Sequence, residues 1–374
     1  MPFRGGLVGV AGYGIVRRME RLPAPPHGGV RRSNDPELLL VAPRFVLVFD
    51  HLTRRAAVLH HGAEWERRSL RREIIAALRG PMPPLPVRSG HQPPRAGMSE
   101  AEFVAAVGRV KEHIAAGDVF QLVLSNHFTG ECRTDPFEVY RALRLLNPSP
   151  YMFYFDFGSE QLVGSSPEAL VRLQGGVATL RPIAGTRRRG EDEAADLALE
   201  QELLADEKES AEHIMLVDLA RNDLGRVAAA GSVRVEPFRS VERYSHVMHI
   251  VSGVEGRLRE GFDAFDLFGA TFPAGTVVGA PKVRAMQIID ELEPVGRGFY
   301  AGTVGYFGAA EPGAACTSMD QAIAIRTIMF RAGSYAYQAG AGIVFDSDPH
   351  AEYREVLAKV GALEAAMRLA EEGL

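Results

Sequence analysis

Apolar and polar residues follow two periods along this chain, and the two periods alternate. Residues 98–117 place apolar side chains at helical spacing between Ser99, a plausible N-cap with Glu102 three positions later, and Gly117 as a stop. Runs within 119–128, 151–158 and 178–185 alternate as strands do, whereas 194–226, 281–292 and 350–372 are helical. Because most strands follow each other through short turns, the pattern predicts an α+β protein with antiparallel sheets.

The first part of the chain differs in texture from the rest. Strand-like runs at 45–49 and 56–60 precede an amphipathic stretch at 67–79. Residues 81–97 contain six prolines and two glycines, which is typical of an extended connector. We therefore predict an N-terminal region with a linker over 1–97 and a main domain over 98–374.

Composition narrows the function classes. The 374 residues are 46% hydrophobic and 24% charged with a net charge of −5, which favours a globular protein and argues against nucleic acid as a partner. The two cysteines, Cys132 and Cys316, have no metal-binding or redox spacing. No apolar stretch of about 18 residues and no signal peptide stand out, so we expect a cytoplasmic protein without a membrane partner.

Two pairs of glutamates stand at helix starts. Glu209 and Glu212 are three residues apart, as are Glu352 and Glu355, so each pair shares one helix face. Brought together, the four carboxylates would form an oxygen-lined site that suits Mg²⁺. The alternative is that these acids are solvated or interact with helix dipoles.

Three further features of the sequence are typical of ligand-binding sites. Glycines at 275 and 279 lead into a helix start that carries Lys282, which favours an anion cradle, or else a plain cap with a solvated lysine. Gly340 and Gly342 would let a ligand approach the backbone closely. Arg326 interrupts an apolar strand, which indicates either a bound carboxylate or a structural ion pair.

These segments together resemble the chorismate-utilising enzymes, and within them anthranilate synthase component I. The resemblance covers 98–374 in one order of motifs, among them RPIAGTRRRG, VGSSPEALV, FPAGTVVGAPKVRAMQIIDELEP and QAGAGIVFDSDPHAEYRE. It implies a fold of large antiparallel sheets packed as a sandwich with flanking helices. The implied reaction adds ammonia to chorismate as the 4-hydroxyl leaves, and then eliminates pyruvate to give anthranilate, the first step of tryptophan biosynthesis.

The resemblance also implies roles for individual residues. Glu168 matches the general acid, while His249 and Thr276 match the pair that serves pyruvate elimination. Mg²⁺ would be bound directly by Glu212 and Glu355, with Glu209 and Glu352 acting from the second shell or through water. The remaining residues implied to bind substrate are Gln121, Ala184, Gly185, Thr186, Gly275, Lys282, Tyr300, Arg326, Gly340, Ala341 and Gly342.

Two positions separate the branches of the family. The water-using members carry a lysine base where this chain has Gln121, which cannot deprotonate water. Aminodeoxychorismate synthases use a nucleophilic lysine where this chain has Ala184. An enzyme that stops at aminodeoxyisochorismate, an aminodeoxychorismate synthase without that lysine, and a non-catalytic paralogue that binds chorismate remain as alternatives.

Neither cysteine lies in a glutaminase motif, so we expect a separate glutamine amidotransferase subunit to supply ammonia within a hetero-oligomer. Full-length members of the family carry roughly a hundred or more residues before the point where this chain begins, including half of a tryptophan site. The other half, with Pro150, Tyr151 and Met152, is present. We therefore expect weak or absent feedback inhibition by tryptophan.

Overall fold

The computed structural model describes residues 3–23, 35–82, 89–244, 247–310, 316 and 318–374. Residues 83–88 of the predicted connector lie outside this set. Within it, none of the helices is long and apolar enough to span a bilayer.

Helices and strands alternate along the described chain. The α-helices are α1 Glu64–Arg79, α2 Glu100–Ala115, α3 Pro136–Leu146, α4 Glu193–Ala205, α5 Glu207–Gly225, α6 Ala264–Thr271, α7 Lys282–Leu292 and α8 Pro349–Glu372. Short 3₁₀ helices span Tyr13–Arg18 and Gly275–Val277.

The strands are short, and many follow each other directly. They are β1 Gly6–Ala11, β2 Leu38–Val41, β3 Phe45–Asp50, β4 Arg55–His60, β5 Arg95–Ala96, β6 Gln121–Glu131, β7 Tyr151–Asp156, β8 Glu160–Ser166, β9 Ala169–Gln174, β10 Val177–Leu180, β11 Ile183–Arg188, β12 Arg234–Val235, β13 Ser240–Arg243, β14 Val247–Val251, β15 Val254–Arg257, β16 Gly279–Ala280, β17 Thr303–Gly308, β18 Ser318–Ile323, β19 Thr327–Arg331 and β20 Ser334–Ile343.

Two large antiparallel sheets dominate the fold. The first has the order β12-β15-β10-β9-β18-β17-β1-β2, and the second has the order β16-β6-β20-β19-β8-β7 with β5 added beside β6. A three-stranded sheet, β11-β14-β13, and the hairpin β3-β4 complete the strands. The mixed α+β architecture predicted from the sequence is confirmed.

The two large sheets pack face to face. Leu173 and Met319 of the first sheet share one buried core with Leu124 and Ile328 of the second. A smaller cluster joins Val10 and Val304 of the first sheet to Leu162 of the second. Helix α8 covers β20 and packs against α2 and α3. This is the expected sandwich with flanking helices, stabilised by burial of apolar side chains from both sheets.

Local sequence signals set several helix boundaries. The Ser99 hydroxyl accepts a hydrogen bond from the Glu102 backbone at 3.4 Å, and the Glu102 carboxylate accepts one from the Ser99 backbone at 2.8 Å. This is the predicted capping box of α2. After the helix, Gly117 has a φ of +79°, a conformation that glycine adopts without steric cost.

The helical pattern over 194–226 forms two helices rather than one. Asp206 has an extended backbone, and its carboxylate accepts hydrogen bonds from the backbone N–H groups of Lys208 and Glu209. An aspartate in this position begins a new helix, because it satisfies donors that would otherwise be unpaired. The break places Glu209 in the first turn of α5.

The predicted division of the chain at residue 97 remains a prediction. Strand β1 pairs with β17 over its whole length, so residues before the connector extend a sheet built mainly by residues after it. In contrast, the hairpin β3-β4 forms its own two-stranded sheet, and α1 buries none of its side chains.

Candidate active site

A cavity of about 560 Å³ opens between the β20 face, the turn from β8 to β9, the three-stranded sheet and the 3₁₀ helix at 275–277. Its volume suits a small organic ligand. The residues predicted from the sequence that line it are Glu168, Ala184, Thr186, His249, Thr276, Tyr300, Arg326, Gly340 and Gly342. Residues from across the sequence therefore meet at one place.

The wall formed by β20 is smooth because it carries glycine. A Cβ atom at Gly340 would lie 2.8 Å from the Tyr300 hydroxyl and 2.9 Å from the Leu124 carbonyl oxygen. A Cβ atom at Gly342 would lie 2.6 Å from the Gln121 amide nitrogen. At Gly340 the Leu124 backbone leaves no room for a side chain, and at Gly342 a side chain would have to displace the end of Gln121. Glycine at both positions lets a ligand approach the strand's backbone.

Glu168 occupies the turn between β8 and β9, where Ile323 N–H donates to its backbone carbonyl at 3.0 Å. Burial raises the pKa of its carboxyl group to about 7, against the opposing influence of the Thr276 hydroxyl and the cations of Arg326 and Lys359. A carboxyl group with this pKa is partly protonated near neutral pH, and it can therefore donate a proton to a leaving group.

Thr276 and Arg326 flank this carboxyl group. The Thr276 hydroxyl lies close enough to lower the pKa of Glu168, yet its buried oxygen has no well-formed hydrogen bond within the described residues. Arg326 has a φ of +51°, and its carbonyl oxygen accepts from Ser165 N–H at 3.1 Å. Burial lowers the pKa of Arg326.

The Arg326 guanidinium has no ion-pair partner among the described residues, although Glu168 and Glu355 lie within electrostatic range. A buried cation without a carboxylate at contact distance is costly unless a ligand supplies one. Of the two interpretations that the sequence left open, the structure favours a bound carboxylate over a structural ion pair.

His249 on β14 faces β11 across the ladder. Its Nδ1 lies 3.1 Å from the Gly185 carbonyl oxygen and 3.0 Å from the Thr186 hydroxyl. A carbonyl oxygen can only accept, so Nδ1 carries the proton and Nε2 has the free lone pair. Burial lowers the pKa of His249, which favours the neutral imidazole. The ring is thus held as a base.

The two glutamate pairs lie at neighbouring helix starts. Lys208, beside Glu209 in α5, lowers the pKa of Glu352 in α8, so the two helix starts are within electrostatic range. Burial raises the pKa of Glu209, and the adjacent Glu212 raises it further. Burial likewise raises the pKa of Glu352, with Glu355 as a further cause. Like charges held together favour a bound cation.

The described residues do not form a preorganised metal cage, since no three metal-ligating side chains converge among them. Glu209 accepts from Arg187 at 3.4 Å, Glu212 accepts from Gln121 at 3.2 Å, and Glu355 pairs with Lys359 at 2.6 Å. The donor set, four carboxylates in two pairs, has the oxygen chemistry that a hard divalent cation requires.

Lys282, expected from the sequence to contact substrate, lies elsewhere. Its ammonium group donates to Asp223 at 2.8 Å and to the Thr271 carbonyl oxygen at 3.2 Å, and both charged side chains are about 90% buried. The lysine connects the start of α7 to the ends of α5 and α6 instead of lining the cavity. Neither of the sequence-based readings, an anion cradle or a solvated lysine, describes this buried ion pair.

The other predicted residues lie beside the cavity rather than in its lining. Gln121 contacts Glu212, while Gly185 lies against Glu209 and presents its carbonyl to His249. Gly275 packs on Leu219, and Ala341 is fully buried in the core.

Sequence reasoning missed several lining residues, notably Lys359, Gln338 and Tyr244. Lys359 donates to the Gly340 carbonyl oxygen at 2.8 Å. Its position four residues after Glu355, and that of Gln338 two residues before Gly340, were signals that helical and strand periods could have revealed.

Comparison with known proteins agrees with this geometry. The profile of the chorismate binding enzymes matches residues 2–365. Anthranilate synthase component 1 of Pseudomonas aeruginosa is 49% identical over 385 residues, which cover 100% of this chain and 77% of that protein. The Aquifex aeolicus protein of the same name is 49% identical over 386 residues, covering 99% and 76%.

A solved structure extends the match to three dimensions. Anthranilate synthase component I from Streptococcus pneumoniae superposes with a TM-score of 0.87 at 37% sequence identity, covering 97% of this chain and 81% of that one. Sequence and fold therefore agree: the chain belongs to the chorismate-binding enzyme family, among the relatives of anthranilate synthase component 1.

Proposed function

We propose that this chain converts chorismate and ammonia to anthranilate and pyruvate, as a Mg²⁺-dependent lyase in tryptophan biosynthesis. The observation that carries the proposal is the presence, in one cavity, of a protonatable Glu168 and an Arg326 that has no ion-pair partner in the part of the chain that the structure describes. The names of the relatives point to the same activity.

Substrate binding follows from the charges of the cavity. Chorismate carries two carboxylates, and Arg326 is placed to pair with the enolpyruvyl one by charge-assisted hydrogen bonds. The backbone at Gly340 and Gly342 and the hydroxyl of Tyr300, whose pKa burial raises to about 12, provide neutral contacts beside it. Lys359 adds a second cation in the lining.

In the first chemical step ammonia adds at C2 of the ring as the 4-hydroxyl leaves. The C1=C2 and C5=C6 double bonds shift to C1=C6 and C4=C5, the C4–O bond breaks, and the hydroxyl departs as water with a proton from Glu168. The new C2 ammonium group then loses a proton, which balances the one that Glu168 gave. General acid catalysis of this kind contributes about 10²–10⁴-fold in rate. The pKa of about 7 keeps the required proton on Glu168 at neutral pH.

The second step forms the aromatic ring. The neutral His249 takes the C2 proton at Nε2, the C–H electron pair becomes a ring double bond between C2 and C3, and the bond from C3 to the ether oxygen breaks. The leaving enolpyruvate takes up a proton to become pyruvate. The Gly185 carbonyl fixes the tautomer that this step needs. The Thr276 hydroxyl oxygen, which has no well-formed hydrogen bond among residues that the structure describes, is available to a polar group of the ligand.

Mg²⁺ is part of the proposal, with Glu212 and Glu355 as direct ligands and Glu209 and Glu352 behind them. When bound, the ion offsets the charge of the ring carboxylate. Because the four acids are not preorganised, ion binding would draw the starts of α5 and α8 together.

The name component 1, carried by the relatives, supports a second subunit. We propose that a separate glutamine amidotransferase delivers ammonia to this chain in a cytoplasmic hetero-oligomer. Free ammonium salt should replace that subunit in the assay, because the synthase chemistry needs only ammonia.

The test is fluorescence-detected anthranilate formation from chorismate with MgCl₂ and ammonium salt at about pH 8.5, against an EDTA control. Metal-dependent anthranilate supports the proposal. Loss of chorismate without fluorescence, with product mass matching aminodeoxyisochorismate or aminodeoxychorismate, would replace it by one of those activities. If the concentration of chorismate did not fall, the chain would be a binding protein rather than an enzyme.

A further inference from the structure

A series of buried polar contacts connects the protein core to the cavity wall. Arg297 and Glu293 form an ion pair at 2.7 Å, with side chains that are 1% and 3% exposed. Glu293 accepts from the Ser125 hydroxyl at 2.6 Å, and Ser125 lies 2.7 Å from the Gln338 amide nitrogen. The last residue in this series of contacts is Gln338, which is 5% exposed and lines the cavity.

Donor and acceptor accounting fixes the orientation of each group. The Glu293 carboxylate is a pure acceptor, because Arg297 donates to both of its oxygens. Ser125 must therefore use its only proton towards Glu293, and its oxygen is left to accept from Gln338. The Gln338 amide thus presents its nitrogen to Ser125 and its oxygen away from it. If the amide nitrogen and oxygen were exchanged, the Gln338 oxygen would face the Ser125 oxygen with no proton between them, because the Ser125 proton is already donated to Glu293.

The Gln338 oxygen has no hydrogen-bond partner within the described residues. Residues 338, 340 and 342 share one face of β20, since side chains alternate along a strand, and all three line the cavity. A buried acceptor without a partner costs about 1–3 kcal/mol, so an acceptor held in this way at a cavity wall indicates that a ligand donates to it.

We infer that the Gln338 oxygen accepts an N–H group of the ammonia nucleophile and holds it for attack. This inference rests on the proposed function. The carboxylates and the ether oxygen of chorismate can only accept, so its 4-hydroxyl and ammonia are the two donors in the reaction. We assign ammonia to Gln338, because the 4-hydroxyl is placed beside Glu168 in the proposed reaction, and the test below separates the two. Ser125, Glu293 and Arg297 are positioning residues that keep the amide turned the right way.

The series of polar contacts could also have a purely structural role. Arg297 also donates to the carbonyl oxygens of Val277 at 2.6 Å and Val123 at 2.8 Å, so it supports the cavity wall generally. Changing Arg297 would disturb all of these contacts at once. The test therefore changes Gln338, the last residue in this series of contacts, because a structural role and an ammonia-binding role predict different effects there.

The experiment measures two Michaelis constants for Gln338→Met, which removes the acceptor at nearly equal volume. Ammonium is varied at saturating chorismate, and chorismate is varied at saturating ammonium, at one pH. Losing one hydrogen bond predicts a rise of about 3- to 10-fold in the KM for ammonium, with the KM for chorismate unchanged. Gln321→Met is the matched control, because Gln321 is also buried in a sheet but does not line the cavity.

Ser125→Ala supplies an independent second variant. It removes the contact that orients the amide, so the KM for ammonium should rise less than in Gln338→Met and in the same direction. An unchanged KM for ammonium in folded Gln338→Met, or in Ser125→Ala if Gln338→Met does not fold, overturns the inference. A rise confined to the KM for chorismate overturns it as well, since the oxygen would then hold the substrate hydroxyl. A wild-type enzyme that makes no anthranilate from ammonium would instead refute the proposed function.

Discussion

Replacing Glu168 by glutamine tests the central electrostatic argument with two independent readouts. The amide has nearly the same shape as the carboxyl group but cannot donate an acidic proton or ionise. Activity should fall by about 10²–10⁴-fold if Glu168 is the general acid. The same change should make the folded protein more stable at alkaline pH, because burying an ionised carboxylate in this turn is costly.

The size of the stability effect follows from the pKa. Burial moves the pKa of Glu168 from 4.5 in the unfolded chain to about 7 in the folded one, which corresponds to about 3 kcal/mol. The folded state holds the proton more tightly, so this contribution to stability is fully present below pH 4.5 and is lost as pH rises through about 7. The free-energy difference between variant and wild type should grow by about 2–3 kcal/mol from pH 5 to pH 9.

Urea unfolding of both proteins at pH 5, 6, 7, 8 and 9 measures this difference. Glu102→Gln is a control of opposite sign, since hydrogen bonds from Ser99 lower the pKa of Glu102. Stability that depends on Glu102 is lost as pH falls, so that variant should show little pH dependence over the same range. A constant difference between Glu168→Gln and wild type from pH 5 to pH 9 would refute the raised pKa.

Other substitutions test the remaining parts of the site. Arg326→Lys should raise the KM for chorismate roughly 10- to 100-fold, because lysine cannot form the planar paired contacts of a guanidinium, and an unchanged KM would contradict the carboxylate assignment. Gly340→Ala should block substrate binding, because its Cβ would lie 2.8 Å from the Tyr300 hydroxyl, whereas Gly108→Ala, with open space around it, should leave the KM unchanged. Lys282→Met should lower the free energy of unfolding by about 3–5 kcal/mol, because it leaves the buried carboxylate of Asp223 in α5 unpaired. A raised KM for chorismate without destabilisation would instead indicate that Lys282 contacts the substrate.

Periodic and local features of the fold could be predicted from the sequence. The capping box at Ser99, the strands near residues 45 and 56 and the antiparallel sheets depend on neighbours in the sequence. The break at Asp206 also had a local signal, an aspartate before two helix-favouring residues, but the apolar period that continues across it concealed the N-cap.

Features that depend on distant partners could not be predicted in the same way. Lys282 follows a motif that suggests anion binding, yet it pairs with Asp223, 59 residues away in the sequence, whereas Lys359, beside a predicted cation site, lines the cavity. The pattern of residues around a lysine does not reveal which carboxylate it meets in the folded chain. The orientation of Gln338 likewise depends on Glu293, which the sequence alone does not connect with it.

In the proposed complex, the charges of the cavity would make substrate binding favour the protonated form of Glu168. Without ligand, the charge of Arg326 lowers the pKa of Glu168 and so favours loss of its proton. In the proposed complex, a substrate carboxylate that pairs with Arg326 would neutralise this influence. The pKa of Glu168 would then rise, since the nearby cation no longer favours ionisation. In the proposed reaction, Glu168 would therefore be more fully protonated with chorismate bound, which is when the leaving hydroxyl needs the proton.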